Sequence, residues 1–149
     1  MIIHLGHISK FSVFADIACI QHQGAVKEIV MNEENVRALA NNIYAAINAR
    51  DIDAAEQLFD PQYVSHTAGT IGGVRKSLTT LFTAYPEIRF EVEDVLVEGD
   101  KFVLRMTIHG VPVAPNRPQP TAIEFFRAED RRVVEVWTAG SGLPRLPST

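Results

Sequence analysis

A glutamate stands inside an apolar stretch near the carboxyl end of the chain, AIEFFRAEDRRVVEVW, residues 122–137. The pattern predicts two short strands joined by a charged turn. A carboxylate on an apolar strand face either reaches water or is held in a pocket. In a pocket, loss of water would raise the pKa of Glu124 and suit its carboxylate to moving a proton.

Strand pairing predicts which residues share a face with Glu124. An even-numbered turn pairs Ala128 with Val133, and counting back then places Phe126 opposite Glu135. Two residues further back, Glu124 comes to lie opposite Trp137. The other face, which carries Ile123, Phe125, Val134 and Val136, is apolar and predicts packing. The face of Glu124 is then either a solvated outer surface or the wall of a pocket.

Two histidines are candidate partners, because acid/base chemistry often pairs a carboxylate with an imidazole. His109 lies on the preceding predicted strand, and His66 ends a short extended segment. Each of them alone is more often a structural or surface histidine than a catalytic one. His4 and His7 provide too few ligands for a metal site, and Cys19 alone cannot build a thiolate cluster. No phosphate loop or dinucleotide fingerprint is found, so neither a metal nor a cofactor is expected.

Composition narrows the class of protein. The chain has 149 residues, of which 46% are apolar and 21% charged, which is typical of one globular domain. The net charge of -4 and the scattered basic residues argue against nucleic acid as a partner. No apolar run approaches the roughly 20 residues of a membrane span. A single cysteine suits a cytoplasmic protein.

The order of elements predicts the fold. Residues 1–30 are interpreted as an extension of unknown role, residues 31–140 as the domain and residues 141–149 as a tail. The first helix is predicted to begin after its N-cap Asn32, the second to span Ile52 to Phe59 after its cap Asp51, and the third to span Val74 to Ala84. Four strands are predicted: Arg89 to Val97, Phe102 to Val113, Thr121 to Ala128, and Arg132 to Thr138. Helices followed by antiparallel strands indicate an α+β fold, with one curved sheet bent over helices to enclose a pocket.

The series ARD, LFDPQYVSH, GGVR, IRFEVEDVLVEGD, IEFFRAED and EVW resembles the SnoaL-like polyketide cyclase family of the nuclear-transport-factor-like superfamily, over residues 32–138. The resemblance implies a cone-shaped α+β barrel over about three helices, with a deep apolar pocket. It also implies a homodimer or larger homo-oligomer formed through the outer sheet face. Family cyclases use an acidic residue as general acid/base without a cofactor, and Glu124 stands at its position. A family histidine aligns with Pro112, and a slip of three residues brings in His109.

The leading hypothesis is a cofactor-independent enzyme that acts on a small apolar oxygenated molecule by cyclisation, isomerisation or dehydration. Glu124 and His109 are the predicted catalytic residues. Six residues are predicted to bind substrate: Trp137, Tyr63, His66, Phe82, Tyr85 and Phe126. The alternative is a non-catalytic module of the same fold that binds a small ligand or dimerises.

Overall fold

The computed structural model describes residues 32–67 and 73–143, so the predicted extension 1–30 and the last residues of the predicted tail lie outside the described residues. Within that part, the chain confirms the predicted α+β fold. The helices are α1 (Glu33–Asn48), α2 (Ile52–Gln57) and α3 (Val74–Ala84). The strands are β1 (Phe59–Ser65), β2 (Arg89–Glu98), β3 (Lys101–His109), β4 (Thr121–Glu129) and β5 (Arg132–Ser141).

Side-chain caps start the first two helices, as the sequence predicts. Asn32 Oδ1 accepts a hydrogen bond from the backbone N–H of Asn35 at 2.8 Å, and Asp51 Oδ1 accepts one from that of Ala54 at 2.9 Å. Helix α2 ends two residues before the predicted Phe59. The reason is strand pairing: the Leu58 carbonyl accepts from the Val133 N–H, and β1 begins at Phe59.

One five-stranded sheet carries the fold, in the order β1-β5-β4-β3-β2. All neighbours are antiparallel except β1 and β5, which run parallel. Helix α1 packs against β2 and β3, and its apolar stripe joins the inner sheet residues in one buried core. We call the face that packs on the helices the inner face and the opposite one the outer face. No helix of the described ranges is long and apolar enough to span a bilayer.

Helix α1 is fixed against the edge strand by one amide side chain. Asn48 donates to the Phe90 carbonyl at 2.7 Å and accepts from the Phe90 N–H at 2.9 Å, so it substitutes for a neighbouring strand. The ring of Tyr44, one turn earlier, lies 5.0 Å from the ring of Phe90. This contact fixes where the Tyr44 hydroxyl reaches into the fold.

Strand β3 ends at His109 rather than at the predicted Val113. Gly110 follows it with a φ of 73°, and a Cβ at this position would lie 1.9 Å from the carbonyl oxygen of Glu87. The chain therefore leaves the sheet at a position that only glycine can occupy without a collision. The proline-rich segment that follows, residues 112–120, runs as a loop, as its composition predicts.

A β-bulge in the last hairpin contradicts the predicted register. Ala128 pairs with Val133 as expected, but the next pair is Arg127 with Glu135, so β5 has one extra residue, Val134. A shift of one residue sends every later side chain to the opposite face. The predicted pairs of Phe126 with Glu135 and of Glu124 with Trp137 are therefore wrong. The observed pairs are Phe126 with Val136, Phe125 with Trp137, and Glu124 with Thr138.

Candidate active site around Glu124

Glu124 lies on the inner face of β4, between Leu104 of β3 and Thr138 of β5. Both carboxylate oxygens accept hydrogen bonds from hydroxyl groups. The Tyr44 hydroxyl donates to Oε2 at 2.5 Å, and the Thr138 hydroxyl donates to Oε1 at 2.9 Å. One helix and two strands thus hold a single carboxylate in a fixed orientation.

The surroundings of Glu124 change its proton affinity. Burial raises the pKa of the Glu124 carboxyl above its usual value of 4.5, and the hydrogen bonds from Tyr44 and Thr138 offset only part of this rise. Burial, followed by the nearby charge of Glu124 and the hydrogen bond to it, raises the pKa of Tyr44 well above its usual value. Tyr44 is therefore a neutral donor, whereas Glu124 is the group that can exchange a proton.

The residues that surround the Glu124 carboxylate differ in burial. Tyr44 is only 6% exposed, so the helix side of the carboxylate is sealed. Glu124 and Thr138 are both half-buried and keep part of their surface accessible. We call the surroundings of this half-buried residue, between Tyr44 and Thr138, the Glu124 recess.

Aromatic residues predicted to bind substrate lie mainly in or against the core. Phe126 is 1% exposed and stacks on Phe102 with a ring distance of 4.6 Å, so its side chain belongs to the core beneath Glu124 and not to a ligand surface. Tyr63, Phe82 and Tyr85 are half-buried and pack against the same core. Their roles in binding substrate remain predictions.

The predicted roles of Trp137 and His66 in a pocket with Glu124 are corrected by the fold. The bulge turns Trp137 to the outer face, where it is exposed and the His66 ring stacks on it at 4.3 Å, nearly parallel at 6°. His66 Nε2 lies 3.0 Å from Glu135 Oε2. These side chains form an outer-face cluster on the far side of the sheet from Glu124.

His109, the predicted catalytic partner, also lies on the outer face. Strand alternation sends its side chain away from the inner residues Leu104 and Ile108, and its Nε2 lies 2.8 Å from Glu91 Oε2. The expected pairing of an imidazole with Glu124 is therefore wrong. Hydroxyl groups occupy the positions around the carboxylate where a histidine was expected.

Neither hydroxyl partner of Glu124 was predicted from the sequence. Tyr44 belongs to the apolar stripe of α1, four residues after Ala40, and a phenol among aliphatic residues signals a hydroxyl that needs a buried partner. Thr138 could not be predicted as a partner, because the predicted register lacked the bulge and therefore placed Trp137 opposite Glu124.

A cavity at the proline-rich loop is separate from Glu124, and no metal site is indicated among the described residues. A cavity of about 310 Å³ lies beside the proline-rich loop and is lined by residues 112–114 and 117–120 with Ser141 and Gly142, and Glu124 does not line it. Across residues 32–67 and 73–143, no three His, Cys, Asp or Glu side chains gather as a metal-binding group. The chemistry of the Glu124 recess is that of a carboxylate and two hydroxyls.

The structure is that of a small α+β domain with a desolvated carboxylate on the inner face of its sheet. The sequence then identifies the family to which this domain belongs. Residues 40–136 match the SnoaL-like domain, so the chain belongs to the SnoaL-like domain family. No curated protein matches the chain.

Solved structures show the same fold at low identity. A SnoaL-like polyketide cyclase from Agrobacterium tumefaciens is 19% identical with a TM-score of 0.60, covering 72% of this chain and 91% of that one. AclR from Streptomyces galilaeus is 23% identical with a TM-score of 0.61, covering 74% and 91%. An NTF2-like protein from Cytophaga hutchinsonii is 15% identical with a TM-score of 0.56, covering 70% and 88%. The predicted family and the cone-shaped α+β fold are thus confirmed.

Proposed function

We propose that Glu124 is the general acid/base of an enzyme that moves a proton next to a carbonyl group in a small, apolar, oxygenated molecule. The observation that carries the proposal is a desolvated carboxylate on the inner face of the sheet, which accepts hydrogen bonds from Tyr44 and Thr138. Loss of water makes an ionised carboxylate a stronger base, and a fixed orientation reduces the entropy lost on reaching the transition state.

The geometry supports one elementary step. Ionised Glu124 removes a proton from the carbon next to the carbonyl, the electron pair of the C–H bond forms the enolate, and Tyr44 keeps the carboxylate in place. The same acid then returns the proton to another atom, or the enolate attacks a second carbonyl. Isomerisation, dehydration and ring closure share this step, and the likeness to a polyketide cyclase supports a polyketide-like substrate.

A simple ketone tests the step without knowledge of the natural substrate. 2-Tetralone, an apolar bicyclic ketone, exchanges the hydrogens next to its carbonyl for deuterium in D₂O, and NMR follows the exchange. We expect the wild-type protein to accelerate exchange. Glu124→Gln removes the basic carboxylate and should lower the rate by at least about 100-fold, the lower end of the range for general acid/base catalysis.

The matched control is Glu98→Gln, which removes an exposed carboxylate. Glu98 lies at the end of β2, where its backbone is paired in the sheet with that of Lys101. This variant should exchange 2-tetralone at the wild-type rate. Equal rates in wild type and Glu124→Gln, with both proteins folded by circular dichroism, would remove Glu124 from the mechanism.

A second candidate function, a non-catalytic module that dimerises, is favoured by one observation on the outer face. Five large apolar side chains there are well exposed: Val64 at 50%, Leu96 at 67%, Ile123 at 51%, and Phe125 and Trp137 each at 37%. Val64, Trp137, Ile123 and Phe125 lie on the adjacent strands β1, β5 and β4, and Leu96 of β2 is aligned with Phe125 through Val103 of β3. We call these five side chains the outer apolar strip. A contiguous exposed strip of this kind is typical of a protein–protein contact.

A further inference from the structure

The recess holds a second group that can act on a bound molecule, and this inference rests on the proposed function. A carbonyl compound that loses a proton to Glu124 develops negative charge on its oxygen, and a hydrogen-bond donor at that oxygen lowers the barrier. His109 and His66, the donors expected from the sequence, lie on the outer face. Among the described residues, the donors that contact Glu124 itself are the hydroxyls of Tyr44 and Thr138.

The two residues whose hydroxyls bind Glu124 differ in burial. Tyr44 is almost fully buried, and its single proton points at Glu124 Oε2. Thr138 is half-buried, and its hydroxyl donates to Oε1 at 2.9 Å. Thr138 is therefore the more accessible of the two residues for a molecule bound beside Glu124.

The backbone at Thr138 is held in place while its hydroxyl can turn. The Thr138 N–H donates to Thr67 Oγ1 at 3.0 Å, and β5 pairs with β4 at this residue. A threonine side chain is restricted at χ1 by its branched Cβ, so the hydroxyl oxygen stays in place. Rotation of the O–H bond alone redirects the proton from Glu124 to another acceptor.

We propose that Thr138 is a catalytic hydrogen-bond donor that serves two acceptors in turn. In the resting protein it donates to Glu124 Oε1. When Glu124 takes the proton from carbon, the C–H electron pair becomes the C=C bond of the enolate and the carbonyl π pair moves onto oxygen. The Thr138 hydroxyl then turns from the neutralised carboxyl to that oxygen and keeps its own proton throughout.

Thr138→Val removes the hydroxyl and keeps the shape, and Thr138→Ser keeps the hydroxyl. The probe is 2-naphthol, which resembles the enol of 2-tetralone, with binding measured by titration calorimetry. We expect Thr138→Val to weaken binding of 2-naphthol on the order of tenfold, as for one lost hydrogen bond, and Thr138→Ser to stay within about threefold of wild type. Thr138→Ala repeats the comparison if Thr138→Val does not fold.

Exchange of 2-tetralone as a function of pH separates a donor to the ligand from a residue that only positions Glu124. A donor to the enolate oxygen lowers kcat on the high-pH plateau, where Glu124 is fully ionised, and we expect a loss of about 100-fold in Thr138→Val. If Thr138→Val shifts only the pH midpoint of exchange and leaves the plateau rate unchanged, the donor role is overturned. Binding of 2-naphthol by Thr138→Val as tight as that of wild type would overturn it as well.

The two proposals fail in different ways. If wild type binds 2-naphthol and Thr138→Val binds it more weakly, but wild type does not accelerate exchange of 2-tetralone, the enzyme function is contradicted and Thr138 stands as a ligand-binding donor. If wild type does not bind 2-naphthol at all, the assignment of Thr138 is overturned even where Glu124-dependent exchange is observed.

Discussion

At the residue scale, two glutamates of the same hairpin have opposite environments. Burial raises the pKa of Glu124, whereas hydrogen bonds from Arg127 and then His66 lower the pKa of Glu135 on the outer face. The functional hypothesis from the sequence required a raised pKa at Glu124, and burial acts in this direction. The predicted register placed both glutamates on one face, because nothing in the residue types marks the bulge at Val134.

The raised pKa of Glu124 predicts how stability depends on pH. The folded protein holds this proton more tightly than the unfolded chain, so the stabilising contribution is fully present below the unfolded value of about 4.5 and is lost as pH rises through the folded value. Glu124→Gln has no such ionisation. The free energy of unfolding of the variant, measured with urea, should therefore increase relative to that of wild type as pH rises from the unfolded to the folded pKa of Glu124.

The pH-dependent part of this difference is the test, because the substitution also changes the hydrogen bonds to Tyr44 and Thr138 by an amount that does not vary with pH. A constant difference between the two proteins from pH 4 to pH 8 would contradict a raised pKa.

At the element scale, the sequence predicted what depends on local signals. The capping side chains Asn32 and Asp51 and the span of α3 agree with the structure, because caps and helical spacing are read within a few residues. Two features depend on distant backbone and were missed. These are the end of β3, set by the contact of Gly110 with Glu87, and the bulge that aligns Arg127 with Glu135.

Gly110 offers a test of the end of β3, with Gly99 as its matched control. Both have positive φ, 73° and 58°, but a Cβ at Gly99 would meet no atom within 4 Å, whereas one at Gly110 would collide with the Glu87 backbone. Gly99→Ala should cost about 1 kcal/mol from the left-handed backbone alone. Gly110→Ala should cost about 3 kcal/mol, because the collision adds to the same strain.

Urea denaturation of both variants measures the comparison. Equal losses of stability would show that the Glu87 carbonyl moves away without cost, and would remove the close backbone contact as the reason why β3 ends at His109.

At the scale of the whole molecule, the sheet has two different faces. The inner face packs on the helices and holds Glu124, and the outer face carries the outer apolar strip. Charges beside the strip are already paired within the chain, since Glu135 binds both His66 and Arg127. The surface of a partner therefore needs no compensating charge. The same strip on a second copy of the chain meets this requirement. The family resemblance predicted a homodimer through this face, and we propose it for this chain.

Phe125→Glu tests the dimer, because a charge at the centre of an apolar contact opposes its own copy across a two-fold axis. We expect wild type to sediment with twice the mass of one chain and Phe125→Glu with the mass of one chain. Ala45→Glu is the control, since Ala45 is exposed on helix α1 and does not belong to the sheet. A wild-type monomer, or a Phe125→Glu dimer as tight as wild type, would contradict this interface.

Fold class and family could be predicted from the order of helices, strands and short motifs, because these are properties of neighbouring residues along the chain. The members of the site could be predicted only in part. Glu124 was found from its own apolar context, whereas Tyr44 and Thr138 become its partners through helix packing and strand register, which one sequence does not specify.

Glu124 as the proton acceptor is tested most directly by the pH dependence of 2-tetralone exchange. A base must be ionised to act, so the wild-type rate should rise with pH, with a midpoint above the usual 4.5 of a glutamate because burial raises the pKa of Glu124. Glu98→Gln should keep this profile and Glu124→Gln should lose it. The same rise with pH in Glu124→Gln, at a comparable rate, would show that another group takes the proton.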